Sequence, residues 1–393
     1  MNLAGQCNKF NTTHTYRATI WMCCLLALSQ SRILYAAPSG YIVGWGTNIG
    51  GQAAGLPTSP FSSGSYMPSA TGCVQFASQV VSNALAISAG SGHSLAITSD
   101  SEVIGWGGNS LGMALGYETP GANSTNGMVR INGQTLSNVV SVVASLRFSL
   151  ALRKDGTILT WGENYVPAGL TNVTGIAAES VYSWVLKSDG TIVGWASDPT
   201  SHQYGRLIPV NNLSNVVAIA VCPGRYSTRG VALKSDGTVG HWGAETDYKD
   251  ATPPAGLSNV VAIAAGANHS LALIRDGTVI GWGMNSIGEA TGVPTTNVPV
   301  TDPAVSSGQV TIGGQVLSNV ISIAAGIGYS MALKGDGTVV TWGERVVNDL
   351  YPVGVPAGLS NVVAIAAGDN FCLTITTNRA VADKFRQSGG RIR

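Results

Sequence analysis

The strongest constraint on what this chain can fold into is a unit that recurs seven times. Its clearest copy is NVVAIAAGANHSLALIRDGTVIGWG, from Asn259 to Gly283. Each copy opens on Asn and an apolar run, passes a Ser-apolar-Ala-apolar segment and an Asp-Gly turn, and ends on Trp-Gly. The opening Asn stands at 83, 138, 172, 215, 259, 319 and 361, and the closing Trp at 45, 106, 161, 195, 242, 282 and 342. Asn to the next Trp is 23 residues in five of six complete copies, and 27 from Asn215 to Trp242, where CPGRYSTRG lengthens the middle. Constant lengths between variable spacers indicate a rigid module with loops attached.

Within the module the apolar runs are short, rich in Val and Ile, and punctuated by Gly, which predicts strands and hairpins rather than helices. In NVVAIAAG, Val261 and Ile263 alternate with Ala262 and Ala264. Both faces are apolar, so neighbouring sheets should cover both. Residues 270–273 predict a second strand, Asp276-Gly277 a tight turn, and 278–282 a third strand.

The seventh copy is split. In the regular copies the Asp-Gly turn, or Asp100-Ser101, begins 17 residues after Asn. The same count from Asn361 reaches Asn378, where the pattern stops, and the missing strand is GYIVGW, Gly40 to Trp45. The two termini therefore complete one blade between them. The expected fold is all-β, a seven-bladed β-propeller over 38–379 closed by pairing of N- and C-terminal strands, with no free closing edge.

The phrases Asn-Val-Val-x-Ile-Ala-Ala-Gly, His-Ser-Leu-Ala-Leu, Asp-Gly-Thr-Val and Trp-Gly-x-Asn-x-x-Gly resemble the regulator of chromosome condensation (RCC1) repeats. Similar repeats form the propeller of the secreted β-lactamase inhibitory protein II. The resemblance runs from about Gly40 to Asn378 and implies a propeller scaffold that binds proteins. Its founding member exchanges nucleotide on a small GTPase, an activity not carried over here, since a fold does not fix a function.

Composition agrees with a turn-rich β protein. Charged residues make up 10% of the 393-residue chain and Gly numbers 51, while 45% of residues are apolar, which excludes disorder. Residues 1–37 carry Lys9, Arg17 and Arg32 without an acid; the remainder has a net charge of −2, so no basic field exists for nucleic acid. The apolar ATIWMCCLLAL after Arg17 is long enough for a signal segment and too short for a stable membrane span. Secretion, or a periplasmic location, is therefore expected. Residues 380–393, with Lys384, Arg386, Arg391 and Arg393, form a basic C-terminal tail expected to be solvated and frayed. Cys73, Cys222 and Cys372 lie beyond the leader without metal-ligand spacing, either as one disulfide and a thiol or as three buried thiols.

Chemistry-bearing residues read mostly as structure. His93 and His269 share a repeat position with Phe148, Tyr182, Tyr329 and Phe371, which argues for packing. The serines that follow have no His-Asp partner in phase. The Asp-Gly aspartates suit turns better than calcium, and the Trp-Gly tryptophans should pack between blades, with carbohydrate stacking the alternative for a few. Glu102, Glu118, Glu163, Glu245 and Glu289 could supply an acid–base pair as in a glycosidase, with nothing in the sequence to choose among them. No catalytic residue, metal or cofactor is assigned.

Individuality lies between the modules. The longest spacers follow Trp45, Trp106 and Trp282 and fall on one arc of the ring. They carry Asn48, Asn109 and Asn285 of the Trp-Gly-x-Asn phrase, and Phe61, Tyr66, Met67, Tyr117 and Arg130. This arc is the expected binding surface, against the alternative that the insertions are tolerated loops. The sequence thus predicts a secreted, monomeric, non-enzymatic scaffold that binds a protein or a glycan, most sharply an inhibitor of an extracellular enzyme. The alternatives are a lyase or glycosidase working in the axial funnel, or an exchange-type regulator.

Overall fold

A computed structural model describes residues 38–55, 69–76, 79–119, 124–196, 208–221, 229–243, 252–295, 305–343 and 354–387. Seven antiparallel sheets form the blades. Blade 1 pairs Val362–Ala367, Phe371–Thr376, Tyr41–Thr47 and Ser69–Cys73 in that order. Blade 2 comprises Ala84–Ala89, His93–Thr98, Val103–Gly108 and Ser124–Met128, and blade 3 comprises Val139–Ala144, Phe148–Arg153 and Ile158–Gly162. Blade 4 contains Val173–Glu179, Tyr182–Lys187, Ile192–Ala196 and Ile208–Pro209; blade 5 contains Val216–Val221, Gly230–Lys234 and Val239–Trp242. Blade 6 is Val260–Ala265, His269–Ile274, Val279–Met284 and Val305–Gln309, and blade 7 is Val320–Ala325, Ser330–Lys334 and Val339–Trp342. The first strand of each blade touches the first strand of the next, and the contact from blade 7 through blade 1 to blade 2 closes the circle.

The recurrent residues have local reasons. Six of the seven opening asparagines hold φ between 52° and 59°, a left-handed conformation that Asn tolerates better than most residues. The carbonyl of each opening Asn accepts a backbone hydrogen bond at the end of its own second strand, as from Arg275 to Asn259 and from Thr377 to Asn361. In the turns, Asp155, Asp189, Asp236, Asp276 and Asp336 each accept the amide of the Thr two residues on. These carboxylates are held below the usual range mainly by those threonines, which assigns them to turns.

Among the described residues the apolar core divides into seven clusters, one at each blade–blade interface. All seven closing tryptophans, six before Gly and Trp195 before Ala196, are buried in them, none more than 8% exposed, so none is presented to a carbohydrate. Cys73 and Cys372 are buried thiols outside any disulfide, and burial together with Asp383 pushes Cys73 up to about 12; Cys222 lies outside the described residues.

Two expectations on the periphery fare differently. The hairpin phrases are ordered: Arg130–Ile131 pairs with Gln134–Thr135, and Thr311–Ile312 with Gln315–Val316. The C-terminal segment is not frayed throughout, because Arg379–Gln387 forms a helix. Asn378 caps it by accepting the amide of Ala380. Val381, Ala382 and Phe385 bury their apolar face in the core of blade 1, and Lys384 and Arg386 sit in the last turn, where cations are favoured. Cys73 also donates to the carbonyl of Ala382.

Trp45 is 1% exposed on the strand that joins the two termini. Trp45→Ala should cost about 3–5 kcal/mol. Denaturant titration should show it as one cooperative loss; a variant within ~1 kcal/mol of wild type would contradict ring closure as a stability determinant.

Candidate functional site

The Trp-Gly-x-Asn loops settle what the three asparagines do. Asn48 Oδ1 accepts the amides of Ala53 and Ala54, Asn109 Oδ1 those of Ala114 and Leu115, and Asn285 Oδ1 those of Ala290 and Thr291, at 2.9–3.0 Å. All three are buried. Asn48, Asn109 and Asn285 therefore shape the loops and are not offered to a ligand, which corrects their placement on the binding surface. Each folded loop then lies against the following blade. The Gln52 carbonyl accepts from Ser94 Oγ and Trp106 Nε1, and the Met113 carbonyl from Ser149 Oγ.

His93 and His269 complete these seams. His93 Nε2 meets Ser149 Oγ and His269 Nε2 meets Ser330 Oγ, both at 2.7 Å across a blade boundary. Each serine spends its own proton on a carbonyl, of Met113 or Glu289, so each histidine donates from Nε2. Their Nδ1 atoms are buried with no partner among the described residues. Burial pushes His93 down to about 3 and His269 to about 4. Packing is the right assignment, with a cross-blade bond that the sequence did not reveal.

Three concavities stand out among the described residues, one of about 490 Å³ beside the Asp-Gly turns of blades 5 and 6 and two that bear on the expected sites. The first of these two is a groove of about 680 Å³ on the outside of blades 1 and 2, lined by Phe76, Tyr117, Asn126, Met128, Arg130 and Asn132. Phe76 is 39% and Tyr117 46% exposed, and Arg130 is exposed. Asn126 Nδ2 donates to the carbonyls of Gly55 and Gln75 and so ties the two insertions together. The structure thus unites Tyr117 and Arg130, adds Phe76, which the sequence reading missed, and takes nothing from the blade 6 insertion. Phe61, Tyr66 and Met67 lie outside the described residues.

The second is the axial mouth, about 440 Å³, walled by an alanine from each of six blades and Val221 from blade 5. Its acids are Glu179 and Asp369. Burial raises Asp369, against a bond from Ser91 that lowers it. Glu102, Glu118, Glu163 and Glu289 do not line it: Glu163 pairs with Arg147 at 3.1 Å and Glu289 accepts the Ile287 amide inside its loop, while Glu245 lies outside the described residues. Departure from the repeat was the available signal, since Glu179 replaces the glycine of Gly90, Gly266, Gly326 and Gly368. Any acid–base chemistry here would fall to these two carboxyls.

The family model for the regulator of chromosome condensation (RCC1) repeat matches residues 85–112, 139–166 and 260–288. Three of the seven repeats thus match the RCC1 repeat. Its curated relatives include protein pim1 of Schizosaccharomyces pombe, 28% identical over 165 residues, covering 37% of this chain and 29% of the relative. The guanine nucleotide exchange factor SRM1 of Saccharomyces cerevisiae is 35% identical over 105 residues, covering 26% and 20%. The chain thus spans less than a third of the length of these relatives. Among solved structures, Prp20p of Saccharomyces cerevisiae, described with its binding to Gsp1p and histones, superimposes with a TM-score of 0.66 at 20% identity, covering 92% of this chain and 96% of that one. That likeness is one of fold.

The buried histidines fix a pH dependence. They stay neutral in the folded ring while the unfolded chain takes up protons below about pH 6.5, so stability falls as pH drops through that value. At about pH 5 the loss is about 2 kcal/mol per histidine. Denaturation of His93→Phe/His269→Phe at about pH 5 and near neutrality should show a narrower gap than wild type; an unchanged gap would remove the histidines from acid sensitivity.

Proposed function

We propose that this chain is a non-enzymatic protein-binding propeller whose partner engages the groove of Phe76, Tyr117 and Arg130. The carrying observation is that two exposed aromatics and an exposed arginine, residue types that dominate interface energetics, meet in one concavity built by two insertions. The loops beneath are held by buried asparagines, so the groove is preorganised before binding. Relatives built on the same repeat include an exchange factor and a propeller described with protein partners, which supports the class of ligand without naming it.

The test is affinity capture with the whole protein against the triple variant Phe76→Ala/Tyr117→Ala/Arg130→Glu, with Lys234→Glu/Arg275→Glu at the Asp-Gly turns as control. A specific partner should be retained by wild type and the control, and weakened by the triple variant about 30-fold or more. Equal retention by all three would reject the groove.

Export is a separate part of the proposal and rests on ATIWMCCLLAL after Arg17. With export, an inhibitor of an extracellular enzyme is the sharper form of the reading. N-terminal sequencing of the native protein should find a chain starting near residue 38 in the extracellular or periplasmic fraction. An intact Met1 in the cytosol would remove export and leave the groove unaffected.

A further inference from the structure

We propose that the groove receives its partner by strand addition: an extended, acid-bearing peptide segment pairs with the free edge of Ser124–Met128. The inference rests on the groove being the binding site and specifies how it is used. Ser124–Met128 is the last strand of blade 2, and among the described residues it pairs with a strand on one side only. Its register fixes which groups are free. Met128 lies opposite Ile104 and Gly127 opposite Gly105, and Val129 donates to the Val103 carbonyl directly opposite it. Bonded pairs alternate along an antiparallel ladder, so Gly127 and Thr125 point inward with Val129, whereas Asn126 and Met128 turn their backbone N–H and C=O outward. Those outward groups have no backbone partner among the described residues, and both residues line the groove.

Open edges are templates for another strand, and proteins usually blunt or cover them. Blade 1 does so here: its outer strand, Ser69–Cys73, lies against the C-terminal helix. The blade 2 edge is instead flanked by recognition groups. Phe76 and Tyr117 offer apolar surface for alternate side chains of an added strand, and the Phe76 ring lies beside Gly127 of that strand. Arg130 is exposed and forms no ion pair among the described residues, so a carboxylate in the incoming segment is its complement. Main-chain bonds supplying affinity and flanking side chains supplying selectivity is the general pattern of strand addition.

The test uses the whole protein and a phage-displayed library of random dodecapeptides. Enriched peptides should alternate apolar residues with others and carry an acid. Arg130→Glu and Tyr117→Ala should each weaken them roughly tenfold or more. N-methylation of every second peptide amide should abolish binding in one phase and spare it in the other. Met128→Pro removes an outward N–H at an edge, where proline is tolerated, and should lose the peptides while keeping the fold by circular dichroism. Peptides that need Tyr117 and Arg130 but ignore N-methylation in both phases would overturn strand addition and leave the groove standing. No enrichment, or enrichment indifferent to those two substitutions, would overturn both.

Discussion

The pairing on which everything else rests is that of Tyr41–Gly46 with Phe371–Thr376, which joins residues more than three hundred positions apart in the sequence. A blade cannot bury both faces of its sheet alone; it needs a neighbour on each side. An open row of seven would leave two terminal faces in water and two strands without ladders. Placing the N-terminal strand inside the C-terminal blade converts the row into a circle, with an apolar cluster at each of the seven interfaces among the described residues. Loop-closure entropy is met once, between termini, and grows only slowly with chain length.

Around this ring the seams combine close approach with directed hydrogen bonds. The glycine ending several inner strands admits the next blade's backbone: a Cβ at Gly368 would stand 2.4 Å from the Phe371 ring and 2.7 Å from the Gly90 carbonyl. Three residues later comes a side chain that can reach across. His93 and His269 use Nε2 on a serine, and Tyr329 uses its hydroxyl on the carbonyls of Gly368 and Phe371. The one repeat position therefore accepts His, Tyr or Phe because packing is its constant demand and the hydrogen bond an addition. Blade 4 breaks the glycine rule with Glu179 and so contributes a carboxyl to the axial mouth.

Binding chemistry is displaced to the rim because the ring uses its own polar groups internally. Asn48, Asn109 and Asn285 illustrate this: buried amides that fold a loop do not serve a ligand, since Oδ1 of all three and Nδ2 of Asn109 and Asn285 are already committed. Among the described residues, the Phe76, Tyr117 and Arg130 groove and the strand edge beside it face outward. Its rigidity comes from the same asparagines, so the residues misread as contacts are those that position the contacts.

The sequence by itself determined the architecture. A repeat of fixed length sets the module, Asn and Asp-Gly set the turns through their backbone preferences, and a unit split between the termini sets closure; these are local or periodic signals. It also marked Tyr117 and Arg130, because they stand in insertions that the module does not require. Only the tertiary structure decided which insertions meet. Phe76 joins Tyr117 through the bonds from Asn126 to Gly55 and Gln75, contacts between blades separated by dozens of residues. It also decided that Glu179 and Asp369 share a cavity and that residues 379–387 dock as a helix rather than fray. The physical reason is common to all three: the repeat dictates neighbours along the chain, whereas the juxtaposition of irregular segments depends on how the ring turns and closes.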